Sequence, residues 1–230
     1  MIVAIGESFL GTKYTPGTLE AEGEEHLVIN LEELDCVTYV ENVLALARIV
    51  RSGEPTWENY VLELERIRYR GGQLEGYPSR LHYFSEWIDD NARLGLMRNV
   101  TRDIGGVPLD EPIDFMSTHA ESYRQLSDTA NLRAIREIEA RLSEEPRWYV
   151  PEDALPGVMS RIENGDIIAA TSSIEGLDIA HTGIAVRREG GVYLMHAPLV
   201  GEDVQLSETT LDVRIQGFDA QDGIMVARPL

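Results

Sequence analysis

The change of hydrophobic period along the chain is the feature that most limits its fold. Before "RWYVPEDALPGV", apolar residues recur every three or four positions, which is the period of a helix with one buried face. After it, "GDIIAATSS", "HTGIAVRR" and "VYLMHAP" are short, β-branched runs bounded by Gly, Asp and Ser, a pattern typical of strands. Helices followed by strands predict an α+β domain with an antiparallel sheet, and not a parallel βαβ sheet.

Four amphipathic helices are predicted in the first two-thirds of the chain. The first begins near Cys36, from which apolar residues recur at helical spacing as far as Ala47. Either Asn30 or Asp35 caps its start, since both residue types accept hydrogen bonds from free N–H groups. The other three are predicted over residues 56–69, 83–94 and 128–142.

Size and charge exclude several classes of function. The 230 residues, 43% of them hydrophobic, can bury one large core. No apolar run approaches the ~20 residues that span a bilayer, and a net charge of −20 repels nucleic acids and anionic lipids. We expect one domain over residues 1–230, with residues 56–150 as a helical insertion forming one side of a cleft, and neither nucleic-acid nor integral-membrane partners.

The sequence does not decide the cellular compartment of the protein. A single cysteine permits no internal disulfide, and the first residues lack the basic region of a signal peptide. A periplasmic or secreted location requires a signal segment ahead of these residues; otherwise the protein is cytoplasmic. Lys13 is the only lysine, which together with the acidity fits a saline host or a GC-rich genome.

Cys36 and two histidines form the strongest candidate site. If residues 188–191 form a hairpin loop of four residues, His196 lies opposite Gly183 and projects to the same side of the sheet as His181. A loop of three or five residues would place the two imidazoles on opposite faces. The prediction of a shared site therefore depends on the length of this turn.

This arrangement supplies what a thiol nucleophile needs. Cys36 attacks, His181 removes and returns the proton, and His196 orients His181, while the start of the helix stabilises a thiolate. Each residue also has a structural alternative: an inert buried cysteine and histidines satisfied within a strand. A zinc site of Cys36, His181, His196 and a carboxylate is the third alternative, although no closely spaced ligand pair accompanies it.

The order of the motifs adds a family resemblance. "DCVTYVENVLALA", "GDII", "HTGIAV" and "LMHAP" resemble the papain-like NlpC-type cell-wall hydrolases, and with "GYPSRLHYFSEWI" they are similar to one branch, formerly a domain of unknown function, associated with N-acetylmuramoyl-L-alanine amidase activity. The resemblance implies a papain-like fold in which the helix bearing the cysteine packs on the C-terminal sheet. It implies cleavage of the N-acetylmuramoyl–L-alanine bond of peptidoglycan fragments, including anhydro forms, through a thioester and without a metal or other cofactor.

The resemblance also implies supporting residues. Tyr14 corresponds to a tyrosine that supports the oxyanion or the substrate, although Lys13 stands where the family pattern has proline. Substrate-binding roles are implied for Ser79, Arg80, His82, Tyr83 and Trp87. For Tyr83 and Trp87 the alternative is packing in the core, and for Arg80 an internal ion pair.

Three other functions stay open. A γ-D-glutamyl-diamino acid endopeptidase uses the same machinery on another bond of the stem peptide. A non-catalytic muropeptide-binding module would retain the cleft, but it has no need for a complete set of Cys36, His181 and His196. An acyltransferase would transfer the acyl group to an amine in place of water.

Overall fold

The computed structural model describes residues 1–230, which form a mixed α+β fold. The helices are α1 (Ile2–Glu7), α2 (Cys36–Ser52), α3 (Trp57–Arg68), α4 (Phe84–Arg93), α5 (Phe115–Thr118), α6 (Thr129–Glu144), α7 (Leu155–Val158) and α8 (Leu211–Gln216). The strands are β1 (Lys13–Tyr14), β2 (Glu33–Leu34), β3 (Met97–Asn99), β4 (Val107–Leu109), β5 (Arg147–Pro151), β6 (Ile167–Ser172), β7 (Ile179–Arg188), β8 (Gly191–His196), β9 (Gln205–Leu206) and β10 (Gln221–Pro229). None of the helices combines the length and apolar character needed to cross a membrane.

The strands form one large antiparallel sheet and one small parallel pair. The large sheet has the order β4-β5-β10-β6-β7-β8-β9, and β3 pairs with β10 beside this path. β1 and β2 form the parallel pair. The α+β class with an antiparallel sheet is therefore confirmed. Strand β10, which lies between β5 and β6, was not among the strands predicted from the sequence.

The large sheet is covered on both faces. On one face, Ile184 of β7 and Met195 of β8 pack in a core that includes Val43 of α2. On the other face, Ala185 and Leu194 pack in a second core together with α8. Burial on both sides explains why β6 is a continuous buried run and not an alternating one.

The helix bearing the cysteine has well-defined ends. Asp35 is its N-cap, and the capping box formed with Thr38 fixes Cys36 as the first helical residue. Gly53 closes the helix in the left-handed conformation at φ 81°, which glycine adopts without steric cost. Of the two caps considered from the sequence, Asp35 is the one used, while Asn30 accepts two backbone N–H groups in the preceding turn.

The predicted insertion, residues 56–150, is only partly helical. It contains α3, α4 and α6 close to their predicted positions, but it also contributes β3, β4 and most of β5 to the sheet. α3 and α4 pack in the same core as α2, whereas α6 encloses a smaller cluster with Tyr83 and Met116. The segment is thus continuous with the rest of the fold at the sheet and at α2.

Candidate active site

Cys36 lies at the junction between the small parallel pair and α2. Tyr14 pairs with Leu34 in that pair, Asp35 caps the helix, and the half-buried Cys36 follows as its first residue. The cap is well satisfied, because the Thr38 N–H donates to Asp35 Oδ1 over 2.8 Å and the Asp35 N–H donates to Thr38 Oγ1 over 2.9 Å. These two hydrogen bonds between backbone N–H groups and side-chain oxygens fix the start of α2, and with it the position of Cys36.

The electrostatic environment keeps this thiol protonated. Burial, together with the neighbouring Asp35 carboxylate, raises the pKa of Cys36 to about 11. Hydrogen-bonding groups of Thr182 and the Cys36 backbone N–H act in the opposite direction and lower that pKa, but they are outweighed. Cys36 is therefore a neutral thiol at pH 7, and it needs a base to become a nucleophile.

The two histidines meet across the β7–β8 hairpin. The predicted register is confirmed, because Arg187 pairs with Val192; the ladder extends one pair further than predicted and leaves a loop of residues 189–190. His181 Nε2 lies 2.7 Å from His196 Nδ1, and the rings meet edge to face with centroids 4.9 Å apart. One imidazole therefore donates a hydrogen bond to the other.

Both imidazoles are neutral at pH 7. Burial, followed by the charges of His196 and Arg214, holds the pKa of His181 well below its usual range. Burial and the Arg214 guanidinium lower the pKa of His196 to about 3. A neutral imidazole can accept a proton, so His181 has the protonation state that a general base requires.

Thr182 joins the cysteine to the histidines. Its hydroxyl donates to the Cys36 carbonyl over 2.7 Å, which ties the start of α2 to β7 one residue away from His181. Thr182 follows His181 directly in β7. The Cys36 thiol makes no hydrogen bond to either imidazole in this resting arrangement, and such contacts often tighten only when substrate binds.

Tyr14 lies close to Cys36 along the fold, because β1 pairs Tyr14 with Leu34, two residues before the cysteine. Burial, followed by the charges of Cys36 and Asp35, raises the pKa of its phenol to about 12, so its hydroxyl keeps its proton at pH 7. This hydroxyl makes no hydrogen bond within the protein and is free to donate one. Lys13, the departure from the family pattern, points to solvent and pairs with Glu33 at 2.9 Å.

Ser79, Arg80 and His82 lie together in a turn before α4, and their side chains are engaged within the protein. The Ser79 hydroxyl donates to Gly76 O over 2.7 Å, and a His82 ring nitrogen lies 2.9 Å from Tyr77 O. The Arg80 guanidinium pairs with the Glu20 carboxylate at 2.5 Å, which is the internal ion pair considered as its alternative. None of these three side chains hydrogen-bonds to His181 or His196.

Tyr83 and Trp87 have packing roles. Trp87 is fully buried and stacks on Phe84, with ring centroids 4.5 Å apart. The buried Tyr83 hydroxyl donates to Glu139 over 2.7 Å and accepts from the Met116 N–H over 2.9 Å. Both side chains are buried, which corresponds to the packing alternative considered for them from the sequence.

Two residues near the site were not singled out from the sequence: Thr182 and Arg214. Thr182 follows the candidate base directly, and this adjacency was its one available signal. Arg214 lies on α8 and reaches the site only through the tertiary fold, where it lines a cleft of about 780 Å³ together with His196. No group of three or more His, Cys, Asp or Glu side chains is arranged to hold a metal ion.

Comparisons with known proteins extend over most or all of the chain. A family model described as AmiA-like, N-acetylmuramoyl-L-alanine amidase-like, matches residues 4–218. An N-acetylmuramoyl-L-alanine amidase from Bacteroides uniformis is 36% identical, with a TM-score of 0.94 over 99% of this chain and 98% of that chain. A putative xylanase from Bacteroides fragilis is 37% identical, with a TM-score of 0.92 over 98% of this chain and 99% of that chain.

A more distant structure shares the fold alone. A protein from Legionella pneumophila is 23% identical, with a TM-score of 0.71 over 100% of this chain and 88% of that chain. No curated protein sequence matches the chain significantly.

Proposed function

The chain belongs to the AmiA-like, N-acetylmuramoyl-L-alanine amidase-like family, and from this we propose that it is a cysteine amidase of peptidoglycan fragments. It hydrolyses the amide between the lactyl carbonyl of N-acetylmuramic acid and L-alanine, including in anhydro-sugar fragments. The observation that carries the proposal is the 2.7 Å hydrogen bond between His181 and His196, next to the Thr182 contact that holds Cys36.

The first half of the reaction uses the histidine pair as base. Because His181 Nε2 is engaged with His196, Nδ1 is the nitrogen left to take the thiol proton. As that proton moves, Sγ of Cys36 bonds to the lactyl carbon and the carbonyl electron pair moves to oxygen. When the carbonyl re-forms, the C–N bond breaks, His181 returns the proton to the leaving amine, and a thioester remains.

The second half releases the sugar acid. Water gives a proton to His181 as its oxygen attacks the thioester, and the sulfur of Cys36 leaves and takes that proton back. Backbone N–H groups in the first turn of a helix lack intrahelical acceptors, so the Cys36 N–H can donate to the oxyanion. The unpaired Tyr14 hydroxyl is the second donor in this proposal.

The proposed fold is the papain-like, NlpC-type arrangement, in which α2 packs on the sheet that bears His181 and His196. Residues 1–230 form its single catalytic domain, and residues 56–150 form one side of the substrate cleft. The shared core of α2, α3 and α4 supports this assignment.

Amide hydrolysis fits the site better than the glycoside hydrolysis suggested by the name of the Bacteroides fragilis protein. Glycosidases use two carboxyl groups that flank the scissile bond. Two carboxylates close in sequence to the candidate catalytic residues serve the backbone instead: the half-buried Asp35 caps α2, and the buried Asp178 accepts from the N–H groups of Ser85 and Ile179 over 2.8 and 2.7 Å.

The test is an incubation with a defined anhydro-disaccharide tetrapeptide, followed by product masses. We expect the wild-type protein to release the intact tetrapeptide and Cys36→Ser to release none. A disaccharide that still carries L-Ala-D-Glu would instead identify the endopeptidase. If the wild type never turns over the fragment while Cys36→Ala binds it equally well, the protein is a binding module and the proposal is wrong.

A further inference from the structure

Arg214 is a largely buried cation without a carboxylate partner. It is 8% exposed and forms no ion pair, in contrast to the buried Arg68, whose guanidinium lies 2.8 Å from Glu41. Its one hydrogen bond runs from Nη1 to Gln221 Oε1 over 3.2 Å. The donors on Nε and Nη2 have no hydrogen-bond partner within the protein and stay available to a ligand in the cleft.

The guanidinium is held in a fixed orientation at the cleft. Its central carbon lies 4.6 Å from the centroid of the Phe218 ring, and a ring at this distance stabilises a planar cation. Arg214, Phe218 and His196 line the same cleft of about 780 Å³. After burial, the Arg214 guanidinium is a further cause that lowers the pKa of His181 and of His196. Burial lowers the pKa of Arg214 itself, and the Glu202 carboxylate acts in the opposite direction. Arg214 therefore belongs to the same site as the histidine pair.

A planar, pre-oriented guanidinium with free donors matches a carboxylate, which accepts two parallel N–H bonds. Three carboxylates, those of Glu202, Asp203 and Glu208, also line the cleft. Their negative charges disfavour binding of a polyanion. The Glu202 carboxylate accepts a hydrogen bond from the Gln205 side-chain amide. The cleft therefore suits one carboxylate that reaches Arg214 directly.

We infer that Arg214 binds a carboxylate of the stem peptide and so marks the side of the cleft that holds the leaving group. The inference rests on the proposed function. In an N-acetylmuramoyl peptide the lactyl carboxyl is consumed in the scissile amide, so every free carboxylate of the substrate belongs to the peptide. An anion held beside His196 thus places the peptide on the α8 side of the site.

The test changes both partners of the contact. The substrates are the anhydro-disaccharide tetrapeptide and a series in which each stem-peptide carboxylate in turn is a primary amide. For the wild type, we expect one amidated substrate to lose about ten- to a hundredfold in kcat/KM, because a charge-assisted hydrogen bond is lost. Arg214→Gln should show a similar loss on the parent fragment and no further loss on that amide.

Two controls separate binding from folding. Arg51→Gln removes an exposed arginine at the far end of α2 and should behave as the wild type on every substrate. Arg214→Lys keeps the positive charge, and we expect it to retain part of the difference in kcat/KM between the parent fragment and the amidated substrate. If Arg214→Gln fails to fold, the wild-type series still tests the inference, because equal kcat/KM on the parent and on all amides would overturn it without any variant.

The possible outcomes are distinct. Cleavage by the wild type with equal kcat/KM on the parent and on all amides would overturn the inference while leaving the proposed function intact. An equal loss for Arg214→Gln on the parent and on every amide would also overturn it, because that pattern indicates a structural role. Absence of cleavage of any substrate by the wild type would refute the proposed function, and the inference with it.

Discussion

Asp35 serves two physical roles that substitution can separate. Its side chain caps α2, accepting from the Thr38 N–H and hydroxyl over 2.8 Å each, and its charge raises the pKa of the adjacent Cys36 thiol. Asparagine is as good an N-cap as aspartate but carries no charge. Asp35→Asn should therefore change the thiol and spare the fold, whereas Asp35→Ala should change both.

The expected stability effect follows from the capping box. Replacing a capping aspartate by alanine costs about 1 kcal/mol of unfolding free energy, which for a domain of this size lowers Tm by about 2–4 °C. Asp35→Asn keeps an acceptor for the Thr38 N–H, so its unfolding free energy should stay within about 0.5 kcal/mol of the wild type. Denaturant unfolding at pH 7 measures both variants.

The thiol is measured by its rate of alkylation with iodoacetamide as a function of pH. Cys36 is the only cysteine, so the mass of the intact protein reports this one site. Each unit by which the pKa falls below about 11 increases the thiolate fraction at pH 8 by about tenfold. Both variants should therefore react faster than the wild type. The electrostatic argument is refuted if Asp35→Asn reacts at the wild-type rate while its Tm is unchanged.

Three further predictions concern the link to β7, the buried histidines and the surface charge. Thr182→Val should cost about 0.5–1.5 kcal/mol of unfolding free energy and reduce turnover by more than this loss of stability explains. Thr182→Ser keeps the hydroxyl that bonds to the Cys36 carbonyl and should restore turnover. Equal activity of the wild type and both variants would contradict this prediction. The pKa of His196 is lowered from 6.5 to about 3, so below pH 6.5 the unfolded chain binds a proton that the folded chain does not, and stability is lost as pH falls. In denaturant titrations at pH 5 and 7, His196→Gln should lose less stability across this interval than the wild type, by up to about 1.4 kcal/mol per pH unit; equal losses would show that His196 is not the cause. Molar KCl, with a Debye length of about 3 Å, should screen the net charge of −20 and raise the Tm, and a Tm that does not rise would remove the argument for a saline host.

The parts of the fold that the sequence predicted are those set by local patterns. α2, α3, α4 and α6 follow from apolar spacing and from caps such as Asp35 and Thr56. The β7–β8 hairpin follows from its turn, and with it the contact between His181 and His196. Each of these features depends on residues within a few turns of one another along the chain.

The features that were missed depend on distant partners. Strand β10 pairs with β3, β5 and β6, whose residues lie far from it along the chain. Trp87 and Tyr83 have the spacing of a binding face, and only the arrangement of the surrounding helices shows that these side chains are covered. Arg214 is one of 19 arginines, and nothing in its local sequence separates it from the others.

The electrostatics of the site connect substrate binding with proton transfer. In this acidic protein the resting site is neutral at Cys36, His181 and His196, and burial, followed by the Arg214 guanidinium, disfavours an imidazolium at the histidine pair. The reaction requires that imidazolium for as long as His181 holds the thiol proton. A carboxylate bound to Arg214 would offset its charge and raise the pKa of the pair only when substrate is present. A contact made for binding would then also favour proton transfer, so its loss should lower kcat as well as raise KM.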